Sequence, residues 1–247
     1  MPVMTTAEAE GLRVFRRGKV RDTFELDDDS LLMVATDRLS AFDVVLPTPI
    51  PDKGRVLTQM SRWWFAKTAH ISPNHLLADD PEVIPTDQRD DWLQRSMHVR
   101  RAERIDIECV VRGYNSGSGW KEYRTEGTLA GEPLPAGLQN SGRLDHPRFT
   151  PAAKNDTGHD VNISRANLAD VVGSDLAQQL ERVSLELFDF ASQHCERRGV
   201  ILADTKFEFG HIDGQLTLID EIFTPDSSRF WEVSEWHEGQ AVTSMDK

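Results

Sequence analysis

The chain has 247 residues, a formal net charge of −13 and two cysteines, Cys109 and Cys195, far apart in sequence and without a ligand-spaced partner. That length buries a core without staples, as one large domain or two lobes, and the cysteine usage argues against a disulfide framework or structural zinc site and fits a reducing cytoplasm. The acidic balance, with no basic stripe to oppose it, argues against binding a nucleic-acid polyanion, and no run approaches eighteen apolar residues, so neither a membrane span nor an export signal is expected.

Val20, Phe24 and Leu26 alternate with charged residues, Asp27 to Ser30 turns, and Leu31 to Ala35 is apolar, which predicts an N-terminal hairpin. Pro47, Pro49 and Pro51 interrupt regular structure. Val56, Leu57, Met60, Trp63 and Trp64 then return at helical spacing. A polar stretch, 79–95, is expected to run over the surface before a second sheet region at 98–112, and it marks the hinge of a division into 1–97 and 98–247. Residues 127–146, rich in Gly, Pro and polar side chains, read as loop or short hairpin. Leu176, Leu180, Val183, Leu187 and Phe190 form the apolar stripe of a long helix, with Ser174 as its expected cap and Gly199 beyond its end.

The segment 203–221 gathers the most charge. After the apolar run Val200 to Leu202, Asp204, Lys206 and Glu208 share one face of a strand, and Thr205, Phe207 and Phe209 the other. Asp213-Gly214 signals a hairpin turn. A two-residue turn would pair Asp220 with Phe207 and leave a carboxylate on the apolar face, at a cost of a few kcal/mol. A three-residue loop over 212–214, with Gly214 in a bulge, is therefore expected, placing Asp220 opposite Lys206. Two carboxylates on one face suit magnesium bridging nucleotide phosphates; the same spacing equally suits ion pairs on a solvated strand.

Other segments carry weaker signals. In Arg112-Gly113-Tyr114-Asn115-Ser116-Gly117-Ser118-Gly119, the glycines let backbone amides approach an anion, Ser118 adds a hydroxyl and Arg112 a bidentate clamp, though a plain Gly/Ser turn has the same composition. Gly18-Lys19-Val20-Arg21-Asp22 sets Lys19 beside a strand without Walker spacing. Residues 37–43, 149–154, 158–164 and 224–229 add polar clusters at element boundaries, each also readable as an ordinary turn or cap.

In order, GKVRD (18–22), ATDRLSAFD (35–43), PIPDKG (49–54), RGYNSGSGWKEY (112–123), FTPAAK (149–154), GHDVNIS (158–164), LADTKFEFG (202–210) and LIDEIFTPDSSRF (218–230) closely resemble the SAICAR synthetase family of purine biosynthesis. The resemblance implies a two-lobed α+β fold, an N-terminal antiparallel sheet lobe and a larger ATP-grasp- or kinase-like lobe, with ATP between them. It implies an ATP-dependent ligase that phosphorylates the carboxylate of carboxyaminoimidazole ribonucleotide and lets the amine of L-aspartate displace phosphate. A small-molecule kinase and a non-catalytic nucleotide-binding module are the alternatives on such a fold.

Carried over position by position, the resemblance assigns Lys19, Arg21, Glu208 and Asp220 to ATP, the last two also to Mg2+. It gives Arg112, Ser118 and Arg229 to the ribotide phosphate, and Asp204 and Lys206 to the reacting end of the ribotide as catalytic residues. Asp37, Arg38, Ser40, His159, Asp160 and Asn162 are its candidates for aspartate. Two departures stand out: Val161 where the family commonly has an acidic residue, and an end at Lys247 where related chains continue into helical structure, which implies a shortened C-terminal segment. The expected partners are small molecules in the cytoplasm, and the oligomeric state is left open.

Overall fold

The computed structural model describes residues 3–41, 44–77, 83–84, 89–154 and 161–245. Contacts divide the chain into two compact units, Met1–Arg104 with Gly210–Thr224, and Ile105–Phe209 with Pro225–Lys247. A cut at 97/98 falls inside a strand, Ser96–Arg100.

In the first unit β1 (Arg13–Arg17), β2 (Arg21–Glu25) and β3 (Ser30–Ala35) are followed by the short pair β4 (Ser40–Ala41) and β5 (Val44–Val45), the helices α1 (Lys53–Thr68) and α2 (Arg89–Trp92), and then β6 (Ser96–Arg100) and β7 (Glu103–Arg104). An antiparallel sheet runs β1-β2-β3-β6. Phe24 pairs with Leu32 across it, and Phe24, Leu32, Val34 and Trp92 form a buried cluster. Trp92 belongs to the polar stretch expected on the surface; its ring meets Phe24 at 5.5 Å between centroids, and Arg95 is buried too. Burial of one tryptophan outweighs the polarity of its neighbours. Helix α1 turns Leu57, Trp64 and Phe65 inward and leaves Val56 and Trp63 exposed. A Cβ on Gly54 would sit 2.1 Å from the Ala35 carbonyl oxygen, so the first turn of α1 lies against the end of β3 only because it has no side chain there.

The second unit contains β8 (Ile107–Asn115), α3 (Gly117–Glu126), the short pair β9 (Thr128–Leu129) and β10 (Glu132–Pro133), β11 (Gly142–Phe149), β12 (Ala152–Ala153), β13 (Val161–Asn162), α4 (Arg165–Val172), α5 (Ser174–Glu196), β14 (Val200–Ile212, as far as Phe209) and β16 (Ser228–Glu232). Its sheet runs β13-β12-β8-β14, with β11 also on β8 and β16 on β14. Within 127–146, expected as loop or short hairpin, β9 and β10 form a short antiparallel pair, and β11 adds a strand from Gly142 that was not expected. Its sequence, GRLDHPRF, has no alternation, and it is held by backbone pairing such as Gly142 with Asn115. Helix α5 covers one sheet face with Leu180, Val183, Leu187 and Phe188; a Cβ on Gly113 would lie 2.9 Å from Phe188 Cζ. Its N-cap is Gly173, and Ser174 is the first helical residue rather than the expected cap.

Along β14, Phe207 and Phe209 are buried while Asp204, Lys206 and Glu208 remain partly open, as the alternation requires. The strand ends at Ile212 in the first unit, and β15 (Gln215–Ile219) returns from it. Asp213 (φ 52°) and Gly214 (φ 74°) alone form the turn, both left-handed, the signature of a two-residue type I′ hairpin. The expected three-residue loop is not formed. The objection to the shorter turn assumed that Asp220 continues the strand, whereas β15 stops at Ile219 and Asp220 adopts φ 66°. Leaving the strand spares its carboxylate the apolar face.

Candidate active site

Three neighbouring strands of the second unit place opposite charges in one row. Asp204 on β14 pairs with Arg112 on β8 and with Arg229 on β16, and directly paired residues project from the same face. Asp204 Oδ2 lies 3.6 Å from Arg112 Nη1 and 3.3 Å from Arg229 Nη1. Ser116 Oγ accepts from Arg229 Nη1 at 2.8 Å and donates to Asp204 Oδ2 at 3.3 Å. Arg112 donates through Nε to Thr150 Oγ1 (3.2 Å) and through Nη2 to Ser118 Oγ (3.0 Å). Burial pulls the Arg112 guanidinium below its ordinary pKa, and Asp204 opposes that shift. Two guanidinium groups against one carboxylate leave an excess positive charge at the N-terminus of α3, an arrangement that favours a phosphate. Gly117 (φ 58°) closes the approach, since a Cβ there would lie 2.6 Å from Arg229 Nη1.

Farther along the same face stands a second group of charges. Lys206 Nζ donates to Glu108 Oε1 at 2.8 Å and Lys154 Nζ to Glu208 Oε1 at 2.6 Å, with Lys154 Nζ also 3.7 Å from Glu108 Oε1. The Lys206 side chain keeps 39% of its surface exposed while that of Glu108 keeps 11%, so of this pair the ammonium is the open member. Glu108 and Lys154 were not among the expected site residues. The available signal for Glu108 was a carboxylate inside the apolar run Ile107 to Val111. Ala152 pairs with both Glu108 and Asn162, so Asn162 projects from this face as well.

The first unit holds the remaining candidates. Arg21 Nη2 donates to Glu221 Oε1 (2.6 Å) and Asp220 Oδ2 (3.2 Å), and Thr224 Oγ1 donates to Glu221 Oε2. His75 lies beneath them, buried, and burial pushes its pKa down to about 4 against the pull of Asp220. Lys19 is exposed in the turn between β1 and β2.

Of the residues expected to meet aspartate, Asp37 is fully buried and accepts four hydrogen bonds: from Met4 N (2.8 Å), Gly54 N (3.1 Å), Arg95 Nη1 (2.9 Å) and Arg95 Nη2 (3.4 Å). Those account for a carboxylate's four lone-pair directions and leave none for a ligand. Its expected place in an aspartate pocket is corrected to that of an internal anchor. Arg38 commits its guanidinium to backbone carbonyls and to Asp22, Ser40 lies in β4, and His159 and Asp160 fall outside the described residues.

A model of the SAICAR synthetase family matches residues 14–247. The phosphoribosylaminoimidazole-succinocarboxamide synthase of Halorhodospira halophila is 48% identical over 249 residues, spanning 100% of this chain and 84% of its own length. Among solved structures, a SAICAR-synthase from Saccharomyces cerevisiae complexed with SAICAR aligns with a TM-score of 0.91 at 38% identity, over 98% of this chain and 83% of that one. A SAICAR synthetase (Type-2) in complex with ADP aligns with a TM-score of 0.72 at 27% identity, over 90% and 86%. The α+β architecture, the ordered motifs and a relative nearly half identical from end to end carry one conclusion: the chain belongs to the SAICAR synthetase family.

Proposed function

We propose that this chain is an ATP-dependent ligase of purine biosynthesis that joins L-aspartate to the carboxylate of 5-amino-1-(5-phospho-D-ribosyl)imidazole-4-carboxylate, giving SAICAR, ADP and phosphate. A free carboxylate repels nucleophiles and has no leaving group. Transfer of the γ-phosphoryl group to one carboxylate oxygen makes an acyl phosphate, the aspartate amine attacks its carbonyl carbon, and the C–O bond to phosphate breaks as the amide forms and the amine releases a proton.

The observation that carries this reading is the single sheet face bearing both the row Arg112–Asp204–Arg229 and the group Glu108, Lys154, Lys206 and Glu208. Arg112, Ser118 and Arg229 hold the ribotide phosphate. Arg112 and Glu108 are four residues apart on β8, ~13 Å at strand rise, which leaves room for a ribose and imidazole between them. Asp204 and Lys206 then meet the reacting end, and the Lys206 ammonium stabilises charge that develops on the transferring phosphoryl group. Asn162, in the same cross-strand row as Glu108 with Ala152 between them, is the described residue best suited to aspartate.

ATP is assigned to Lys19, Arg21, Glu208 and Asp220. Magnesium suits this donor set. Among the described residues no group of three or more His, Cys, Asp or Glu side chains gathers into a metal cage, and magnesium commonly takes one or two carboxylates and completes its shell with water and phosphate oxygens. Glu208 and Asp220 would hold it, and the ion, when bound, offsets phosphate charge. Among the described residues no helix is long and apolar enough to cross a membrane, and a cytoplasmic place is proposed on the cysteine usage.

Phosphate release measured with ATP, aspartate and the carboxylated ribotide, each omitted in turn, tests the reading. Release is expected only with all three present. Steady release without aspartate, leaving a stable phosphorylated ribotide, would instead identify a kinase.

A further inference from the structure

Arg38 has five guanidinium hydrogens, and each meets an acceptor. Nε donates to the Lys19 carbonyl at 2.9 Å, Nη2 to the Gly18 carbonyl at 2.9 Å and to Asp22 Oδ1 at 2.9 Å, and Nη1 to the Thr5 carbonyl at 2.6 Å and to Asp22 Oδ2 at 3.3 Å. Asp22 has no exposed surface and also accepts from the Ala7 amide and from Arg17. Two residues before Arg38, Thr36 donates to the Val20 carbonyl through both its amide (2.9 Å) and its hydroxyl (2.7 Å). Residues 36–38 therefore hold three consecutive carbonyls, those of Gly18, Lys19 and Val20.

That arrangement dictates where the turn's amides point. In a trans peptide the C=O and the following N–H are antiparallel, and no peptide bond among the described residues is cis. Drawing the Gly18 and Lys19 carbonyls onto Arg38 thus directs the Lys19 and Val20 N–H groups to the opposite side. Successive amides facing one way make a concavity suited to an anion, and the turn also carries the Lys19 ammonium. With Asp22 bidentate against it, Arg38 contributes geometry to this turn and little net charge.

We propose that Arg38 is a positioning residue that sets the β1–β2 turn to receive nucleotide phosphates, acting through the backbone of Gly18 and Lys19 and not as a ligand of aspartate. This rests on the proposed assignment of Lys19 to ATP. Lysine at position 38 keeps the charge opposite Asp22 but offers three donors without the planar fork.

The test measures ADP and adenosine affinity by calorimetry on the full chain, with KM for ATP and for aspartate. Arg38→Lys is expected to weaken ADP by ~10-fold, as for loss of one charge-assisted hydrogen bond, to leave adenosine within ~2-fold, to raise KM for ATP and to leave KM for aspartate unchanged. Equal loss of ADP and adenosine, or a rise confined to KM for aspartate, overturns the proposal. Lys19→Ala separates it from the reading beneath it. If Lys19→Ala weakens ADP and Arg38→Lys does not, Arg38 has no positioning role and the ATP assignment stands. If neither variant affects ADP, the assignment of the turn to nucleotide fails and the inference falls with it. Should Arg38→Lys not fold, Thr36→Val, which removes the hydroxyl's bond to the Val20 carbonyl and its acceptance from the Arg38 amide while leaving the guanidinium intact, is expected to give the same pattern at ~3-fold, and unchanged ADP binding there refutes the proposal.

Discussion

Asp37→Ala removes the carboxylate partner of a guanidinium, that of Arg95, which has almost no contact with solvent. Arg95 is 2% exposed and Asp37 0%, with Nη1 and Oδ1 2.9 Å apart. Burial alone would raise the Asp37 pKa, but Arg95 and the Met4 and Gly54 amides outweigh it and hold the carboxyl below its ordinary value, so the pair is charged at neutral pH. Breaking a buried pair by deleting one partner costs about 3–5 kcal/mol, chiefly because the other charge stays buried without compensation. The orphaned amides of Met4 and of Gly54, in the first turn of α1, add about 1 kcal/mol or more each. Against a total stability of roughly 5–15 kcal/mol this is a large fraction, and a fall in Tm of roughly 10 °C or more is expected at ~2–4 °C per kcal/mol. Urea and thermal unfolding of Asp37→Ala, Arg95→Met and the double variant form the assay. The double variant should be less destabilised than the two single losses summed, because neither charge is then left alone. An Asp37→Ala protein with native Tm and a raised KM for aspartate would refute the anchor role and return Asp37 to the substrate pocket.

Three further outcomes are expected. His75 is neutral in the folded protein with a pKa near 4 and takes up a proton near 6.5 when unfolded, so its contribution is full above 6.5 and is lost as pH falls toward 4. Between pH 7 and 5 that loss is ~2 kcal/mol, and urea unfolding of His75→Gln should show a shallower decline; parallel pH profiles would exclude His75 as the source. Gly117→Ala places a Cβ 2.6 Å from Arg229 Nη1 at a positive φ and should raise KM for the ribotide by ~10-fold or more, whereas an unchanged KM would remove the cradle from ribotide binding. Lys206→Ala should lower kcat by ~100-fold or more with a smaller effect on KM for ATP, and full activity would end its catalytic assignment.

Local periodicity made several elements legible. The alternation at 204–209 separates charged from apolar side chains because successive strand residues face opposite ways, and the stripe on α5 repeats at helical spacing because one side of the helix is buried. The motif at 112–119 reads as a glycine-rich turn before a helix, whereas the structure runs β8 through Asn115 and starts α3 at Gly117, with only Ser116 between them. Other features depended on distant partners. β11 has no alternation and exists through pairing with β8, and the hairpin turn differs from the expected one because nothing local signals that Asp220 leaves the strand.

Sequence by itself determined the family, the order of its motifs and which face of β14 is charged, since composition and spacing act over a few residues. Tertiary structure alone decided which charges meet. Cross-strand register sets Asp204 between Arg112 and Arg229, long-range packing brings Glu108 and Lys154 to Lys206 and Glu208, and burial occupies the Asp37 carboxylate with internal donors. A carboxylate or guanidinium has the same letter in either role; the desolvation and the partners that distinguish them arise from residues up to 200 positions away in the chain.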